Sequence, residues 1–219
     1  MILAVIGGKG GVGKSTVAFE LAAALDAVCV DADLGMADLP SRRGPDLHDV
    51  LAGRATATEA VDESGPVDLL PCGRTLAGAR GCEPTALSKA LGAVESEYGR
   101  AVVDCPAGLG RDSGAALVAA DACLVVTTRE RAALSDALRA RELARTLDAG
   151  LVAVVVNFAS EPGSAREEFG APAVALPESA AIARATRHGL TLAEIAPEGT
   201  ARDRVDEVAT LVQRSVNSA

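Results

Sequence analysis

The 219-residue chain predicts an α/β fold: three layers, α/β/α, built on a doubly wound, mostly parallel sheet of about seven to eight strands. Three observations predict it. Short apolar runs rich in β-branched residues recur, they do not alternate with polar residues, and helical stretches separate them. Uninterrupted apolar strands are those buried on both faces, and a parallel sheet covered by helices buries both.

Taken in order, the strands are expected at 2–6, 28–30, 67–70, 101–103, 123–126, 151–156 and 173–176. The helices are expected at 14–25, 84–97, 112–120, 130–147, 178–187 and 202–216. Within 130–147, Leu134 with Leu138 and Leu143 with Leu147 stand at i,i+4 spacing while Arg139, Arg141 and Glu142 take other faces, the pattern of an amphipathic crossover. Right-handed crossovers on both faces place a ligand site at the carboxyl ends of the strands. Residues 40–66 and 158–172, rich in Gly, Pro, Ser and charge, read as surface excursions and not as linkers, so 1–219 is expected to be one domain without repeats.

Composition narrows the class. Hydrophobic residues at 49% with 23% charged exclude a disordered or low-complexity chain, and 2% aromatics without Trp leave Ala, Val and Leu to fill the core. A net charge of −9 disfavours DNA, RNA and anionic lipid unless a basic patch is concentrated locally. Arg42, Arg43 and Arg54 are too dispersed to make one, so DNA is not an expected partner. Three of the 21 cations are lysines (Lys9, Lys14, Lys89), which fits either a salt-rich cytoplasm or a GC-rich coding sequence. The five cysteines (Cys29, Cys72, Cys82, Cys105, Cys123) include no CxxC, so reduced thiols and a cytoplasmic location are expected. The apolar start is too short for a signal peptide, and no stretch is long enough to cross a bilayer.

The chemistry is concentrated after the first strand. Gly8, Lys9, Gly10, Gly11, Val12, Gly13, Lys14 and Ser15 satisfy G-x-x-x-x-G-K-[ST] between a strand and a helix. Glycines let the backbone curl so that successive N–H groups converge on phosphate oxygens, and the helix that follows presents the positive end of its dipole. Lys14 is expected at the β- and γ-phosphates, the Ser15 hydroxyl on Mg²⁺ and Thr16 at the α-phosphate, so the site suits a triphosphate. After the second strand, Asp31 and Asp33 stand two apart, where an extended chain points both the same way. A carboxylate there can order water around Mg²⁺ or orient the water that attacks phosphorus. The strand 101–103 leads into Asp104, then Pro106 and Gly108, the Walker B placement of an acid at a strand tip, which makes Asp104 a Mg²⁺ ligand through water. Cys105 beside it reads as a buried thiol filling space.

The run Lys9-Gly10-Gly11-Val12-Gly13-Lys14-Ser15-Thr16 resembles the deviant P-loop of the MinD/ParA ATPases, within the SIMIBI class of NTPases. The resemblance implies ATP-driven dimerisation in which Lys9 reaches the partner's nucleotide and Asp33, in the position of switch I, orients the attacking water while Asp31 supports the metal shell. It also implies adenine binding by Asn157 and by the backbone around Pro177 and Glu178, although each could equally be a capping or turn residue. Ser179 departs from the acid that relatives often carry. An ATPase switch of MinD type that controls an unidentified regulatory or cargo protein, in cell division or in positioning another apparatus, is the implied role. A ParA-like partitioning ATPase, a metabolic ligase of dethiobiotin-synthetase type and a non-hydrolysing nucleotide-binding adaptor are the alternatives. The 202–219 tail balances Arg202, Arg204 and Arg214 against Asp203, Asp206 and Glu207, so its valine stripe is expected to pack into the core and not to anchor a membrane. His188 before Gly189 reads as a helix C-terminus.

Overall fold

The computed structural model describes residues 1–34, 39, 44–73 and 86–216. Gly35, Arg42, Arg43, Cys82 and positions 84–85 of the helix expected at 84–97 lie outside the described residues. Among the described residues, seven strands form one sheet: β1 (Ile2–Ile6), β2 (Val28–Asp31), β3 (Leu69–Leu70), β4 (Ala101–Asp104), β5 (Ala122–Thr127), β6 (Gly150–Asn157) and β7 (Ala173–Leu176). Their order is β3-β2-β4-β1-β5-β6-β7, and every neighbouring pair is parallel. β1 is central, and the chain runs to opposite sides of it through β4 and β5. That is the topological switch point at which open α/β sheets bind ligands.

The helices are α1 (Lys14–Leu25), α2 (Leu47–Leu51), α3 (Ala86–Tyr98), α4 (Arg111–Ala119), α5 (Arg131–Thr146), α6 (Ala165–Phe169), α7 (Ala180–His188), α8 (Leu192–Ile195) and α9 (Thr200–Val216). Leu3, Val5, Val102 and Leu124 on one sheet face pack with Val17 and Leu21 of α1 and with Val205, Val208, Ala209 and Val212 of α9. Ala4, Val103 and Val125 on the other pack with Leu87 and Leu91 of α3, Leu117 of α4 and Ala137, Ala140 and Ala144 of α5. The tail stripe is therefore part of the core, except that Val216 is 40% exposed.

Two expectations need correcting. The face that α5 buries is Ala133, Ala137, Ala140 and Ala144, while Leu134, Leu138, Leu143 and Leu147 are only partly buried along its flanks. Alanine has the smallest side chain that still favours helix, so a seam of alanines lets the helix axis lie close to the strands. The stretches 40–66 and 158–172 also contain order: α2 starts from a capping box in which Asp46 accepts from Asp49 N–H and Asp49 from Asp46 N–H, and α6 lies in the second. At the end of α7, Gly189 takes the left-handed conformation (φ 65) with His188 in the last turn. The described cysteines (Cys29, Cys72, Cys105 and Cys123) are unbridged and buried, and burial raises all four thiol pKa values. Among the described residues, no helix is long and apolar enough to cross a membrane.

Candidate functional site

Residues 7–13 connect β1 to α1 at the carboxyl edge of the sheet. Gly11 (φ 78) and Gly13 (φ 93) take left-handed backbone that side chains resist. A Cβ added at Gly10 or Gly11 would meet nothing within 4 Å, so the loop faces open space there. Gly13 caps α1 without a side-chain hydrogen bond, and the first helical turn contains no acid. The N–H groups of that turn are thus left to an anion, with the helix dipole favouring negative charge. Lys14 is 8% exposed, and its stem packs over Gly7, where a Cβ would come within 3.1 Å of Lys14 Cδ. Ser15 and Thr16 are half-buried at the start of α1.

The acids lie on the next two strands of the sheet, β4 and β2. Asp31 at the end of β2 is in register with Asp104 at the end of β4, and each is 1% exposed. Asp31 Oδ1 accepts from Asp33 N–H at 3.2 Å, whereas its buried Oδ2 has no hydrogen-bond partner. Burial, then the neighbouring Asp104 charge, push the Asp31 carboxyl up to about 7. Two buried carboxylates side by side, one oxygen of them unsatisfied, form a donor set that suits a hard divalent cation such as Mg²⁺. Gly108 (φ 88), beyond Asp104, donates its N–H to Gly7 O at 3.4 Å and so joins this strand end to the loop.

Asn157, at the tip of β6, is 5% exposed. Its Nδ2 donates to Val12 O at 2.9 Å and its Oδ1 accepts from Phe158 N–H at 3.0 Å. A Cβ on Gly13 would approach Nδ2 to 2.2 Å, so glycine is also required there by packing. Asn157, Pro177 and Glu178 all line a cavity of about 690 Å³ that opens beside Gly13 and Thr16, a volume in the range of small-ligand sites. The structure thus brings the three together, with Asn157 also bracing the loop. Ser179 caps α7, accepting from the N–H groups of Ala181 and Ile182.

Lys9 is exposed on the loop, and its Nζ binds Glu130 Oε2 at 2.8 Å. The pair raises the Lys9 pKa and lowers that of Glu130. Sequence reading missed two participants. Glu130 precedes α5 at the carboxyl edge, a position that the strand order alone could have indicated. Phe158 is 56% exposed, adopts φ 57 and lines the cavity. Its mark in the sequence was only its place after Asn157, since its exposure and left-handed backbone come from the fold.

Fold and site together define a P-loop nucleotide-binding protein: a glycine-rich loop at the switch point, a buried lysine after it, and paired acids on the neighbouring strands. Residues 3–192 match the CobQ/CobB/MinD/ParA nucleotide binding domain, and the chain belongs to that family, one of nucleotide-binding ATPases. It is 31% identical to an uncharacterized ATP-binding protein of Methanocaldococcus jannaschii, over 94% of this chain and 85% of the relative. It is likewise 31% identical to the septum site-determining protein MinD of Synechocystis, over 71% of this chain but only 64% of that longer protein. MinD of Pyrococcus horikoshii, solved with Mg-ADP, superposes with a TM-score of 0.90 at 25% identity, covering 98% of this chain and 96% of its own.

Proposed function

We propose that this chain is an ATP-dependent switch of MinD type that dimerises face to face on ATP and Mg²⁺ and separates after hydrolysis, presenting a partner-binding surface in one state. The anion cradle of Gly10, Gly11 and the α1 N-terminus supports triphosphate binding, with Lys14 at the β- and γ-phosphates and Thr16 at the α-phosphate. Ser15, Asp31 and Asp104 would hold Mg²⁺, whose contribution when bound is to neutralise phosphate charge. Asp33 orients the attacking water, and Asn157, Pro177 and Glu178 form the base pocket.

The single observation that carries the dimerising role is Lys9: a cation 46% exposed at the rim of the cradle, tied by a solvent-facing ion pair. Solvent screening leaves such exposed pairs weak, so a second subunit's phosphates can take Lys9 from Glu130 at little cost. Size-exclusion chromatography with ATP, ADP and no nucleotide tests this. The switch elutes as a dimer with Mg-ATP alone, and Lys9→Ala stays monomeric while still binding ATP. A protein whose elution ignores ATP is a ligase or adaptor, and the proposal is then wrong.

A further inference from the structure

His48 and Cys72 are buried, 24 residues apart, and belong to no motif. His48 is the second residue of α2, and Cys72 follows β3 by two positions. Their side chains converge, His48 Nε2 to Cys72 Sγ being 3.7 Å. Each then reaches the backbone after β2: Cys72 S–H donates to Asp33 O at 3.1 Å, and His48 Nε2 lies 3.3 Å from Leu34 O. A carbonyl can only accept, so Nε2 carries the proton in this contact, and the same N–H faces the sulfur's weak acceptor. Gly73 is fitted to the ring, because a Cβ there would overlap His48 Nδ1 at 1.7 Å. The ring can therefore occupy this place only beside a glycine.

These contacts have a particular address. Asp33 and Leu34 directly follow Asp31, and the Asp33 N–H is already held by Asp31 Oδ1. The Asp33 peptide is thus held from both sides, by a site carboxylate at its nitrogen and by the thiol at its carbonyl. Hydrogen bonds at both N–H and C=O fix the backbone of Asp33 and with it the direction of its Cα–Cβ bond, from which the carboxylate is aimed, and transition-state stabilisation in phosphoryl transfer depends on such positioning. Burial pushes the Cys72 thiol well above its ordinary range, so it stays an S–H donor and is no nucleophile.

We propose that His48 and Cys72 form a latch of positioning residues that fixes the Asp33–Leu34 backbone and thereby the aim of the Asp33 carboxylate during ATP hydrolysis. This rests on the assignment of Asp33 as the residue that orients water. Loss of either contact is expected to lower turnover about three- to tenfold, which at 1.36 kcal/mol per factor of ten is about 0.65–1.4 kcal/mol of transition-state positioning.

Single-turnover phosphate release at saturating Mg-ATP, affinity for a non-hydrolysable ATP analogue and thermal unfolding are measured for the full chain and its variants. Cys72→Ala and His48→Leu are expected to lose three- to tenfold in rate with analogue affinity within twofold of wild type. Cys72→Ser and His48→Gln, which keep a donor, should restore at least half the rate. Unchanged rates in Cys72→Ala and His48→Leu, with Asp33→Ala impaired, overturn the latch alone. Loss of stability and analogue binding in the alanine and serine variants alike also overturns it, showing a packing role. If Asp33→Ala turns over like wild type, or wild type does not turn over, the assignment of Asp33 itself fails and the latch with it.

Discussion

Replacing Asn157 by Asp changes one atom's chemistry and almost none of its volume, which isolates the hydrogen bond between β6 and the phosphate loop. Asn157 Nδ2 donates to Val12 O at 2.9 Å in a region where Val12 is 3% and Asn157 5% exposed. The aspartate keeps the acceptor for Phe158 N–H but loses the donor, leaving a buried carbonyl without this partner at about 1–3 kcal/mol. It also sets an ionised carboxylate against that carbonyl, which adds a further desolvation cost, so about 3 kcal/mol in all is expected near pH 8. With a urea m-value of about 2 kcal/mol/M, the unfolding midpoint falls by about 1.5 M. The sign with pH follows from linkage. The introduced carboxyl has a raised pKa in the folded state, so its penalty is present above that pKa and fades as pH falls through it, when the acid can donate to Val12 O. Relative to wild type at the same pH, the variant should therefore recover stability between pH 8 and pH 5. A variant within about 0.5 kcal/mol of wild type at pH 8, or one whose deficit does not shrink on acidification, would refute the bracing role.

Gly8→Ala should destabilise the protein severely, since the new Cβ would lie 2.1 Å from the Asp136 backbone carbon in α5, whereas Gly10→Ala has open space and should unfold within about 5 °C of wild type; calorimetry of the two variants decides it. Glu20 is buried in α1, both its oxygens accepting from Leu192 N–H at 3.1 and 3.0 Å, and burial raises its pKa above the ordinary 4.5. The charged form therefore costs stability above the folded-state pKa, and that cost disappears as pH falls toward 4.5. Glu20→Gln should accordingly be more stable than wild type at pH 8 and lose that advantage near pH 4.5, read by urea titrations at both pH values. Val212→Ala in α9, at a fully buried position, should cost about 2 kcal/mol in the same assay, and a cost under 0.5 would mean that the tail is not part of the core.

What the sequence disclosed depended on the range of the forces involved. The β1, β4, β5 and β6 strands are legible because burial on both faces demands unbroken apolar runs, and the loop from Gly8 to Ser15 is legible because phosphate binding fixes residue type and spacing locally. β3 shrinks from the expected 67–70 to Leu69–Leu70 because its extent is decided by register with β2 and not by its own residues. α2 is set by one Asp46–Asp49 capping box, a signal easily lost among glycines and prolines. The inward face of α5 was misassigned because larger apolar side chains dominate a helical pattern even where alanines make the contact. Glu130, Phe158 and the pair of His48 and Cys72 become neighbours of the loop or of Asp33 only when the sheet is assembled. No spacing rule can bring together side chains 24 or 121 residues apart.

The two ends of the site differ in how well they are satisfied without ligand, and that difference bears on how a switch could work. On the β6 side of β1, Asn157 has both amide functions engaged and the cavity beside Gly13 is already open, so a base bound there as proposed would need little rearrangement. On the β2 and β4 side, Asp31 and Asp104 are buried in register with an oxygen of Asp31 unsatisfied, a costly arrangement that a cation relieves. Under the proposed reading, a nucleotide without its terminal phosphate still gains the preformed base pocket, while a bound cation also relieves the acidic end. A ligand can shift a conformational equilibrium only by interactions that differ between the two states. On the proposed reading the preformed base pocket would contribute affinity to both states alike, and the buried acidic end, joined to the loop through Gly108 and to Asp33 through Asp31, is where the states would be told apart.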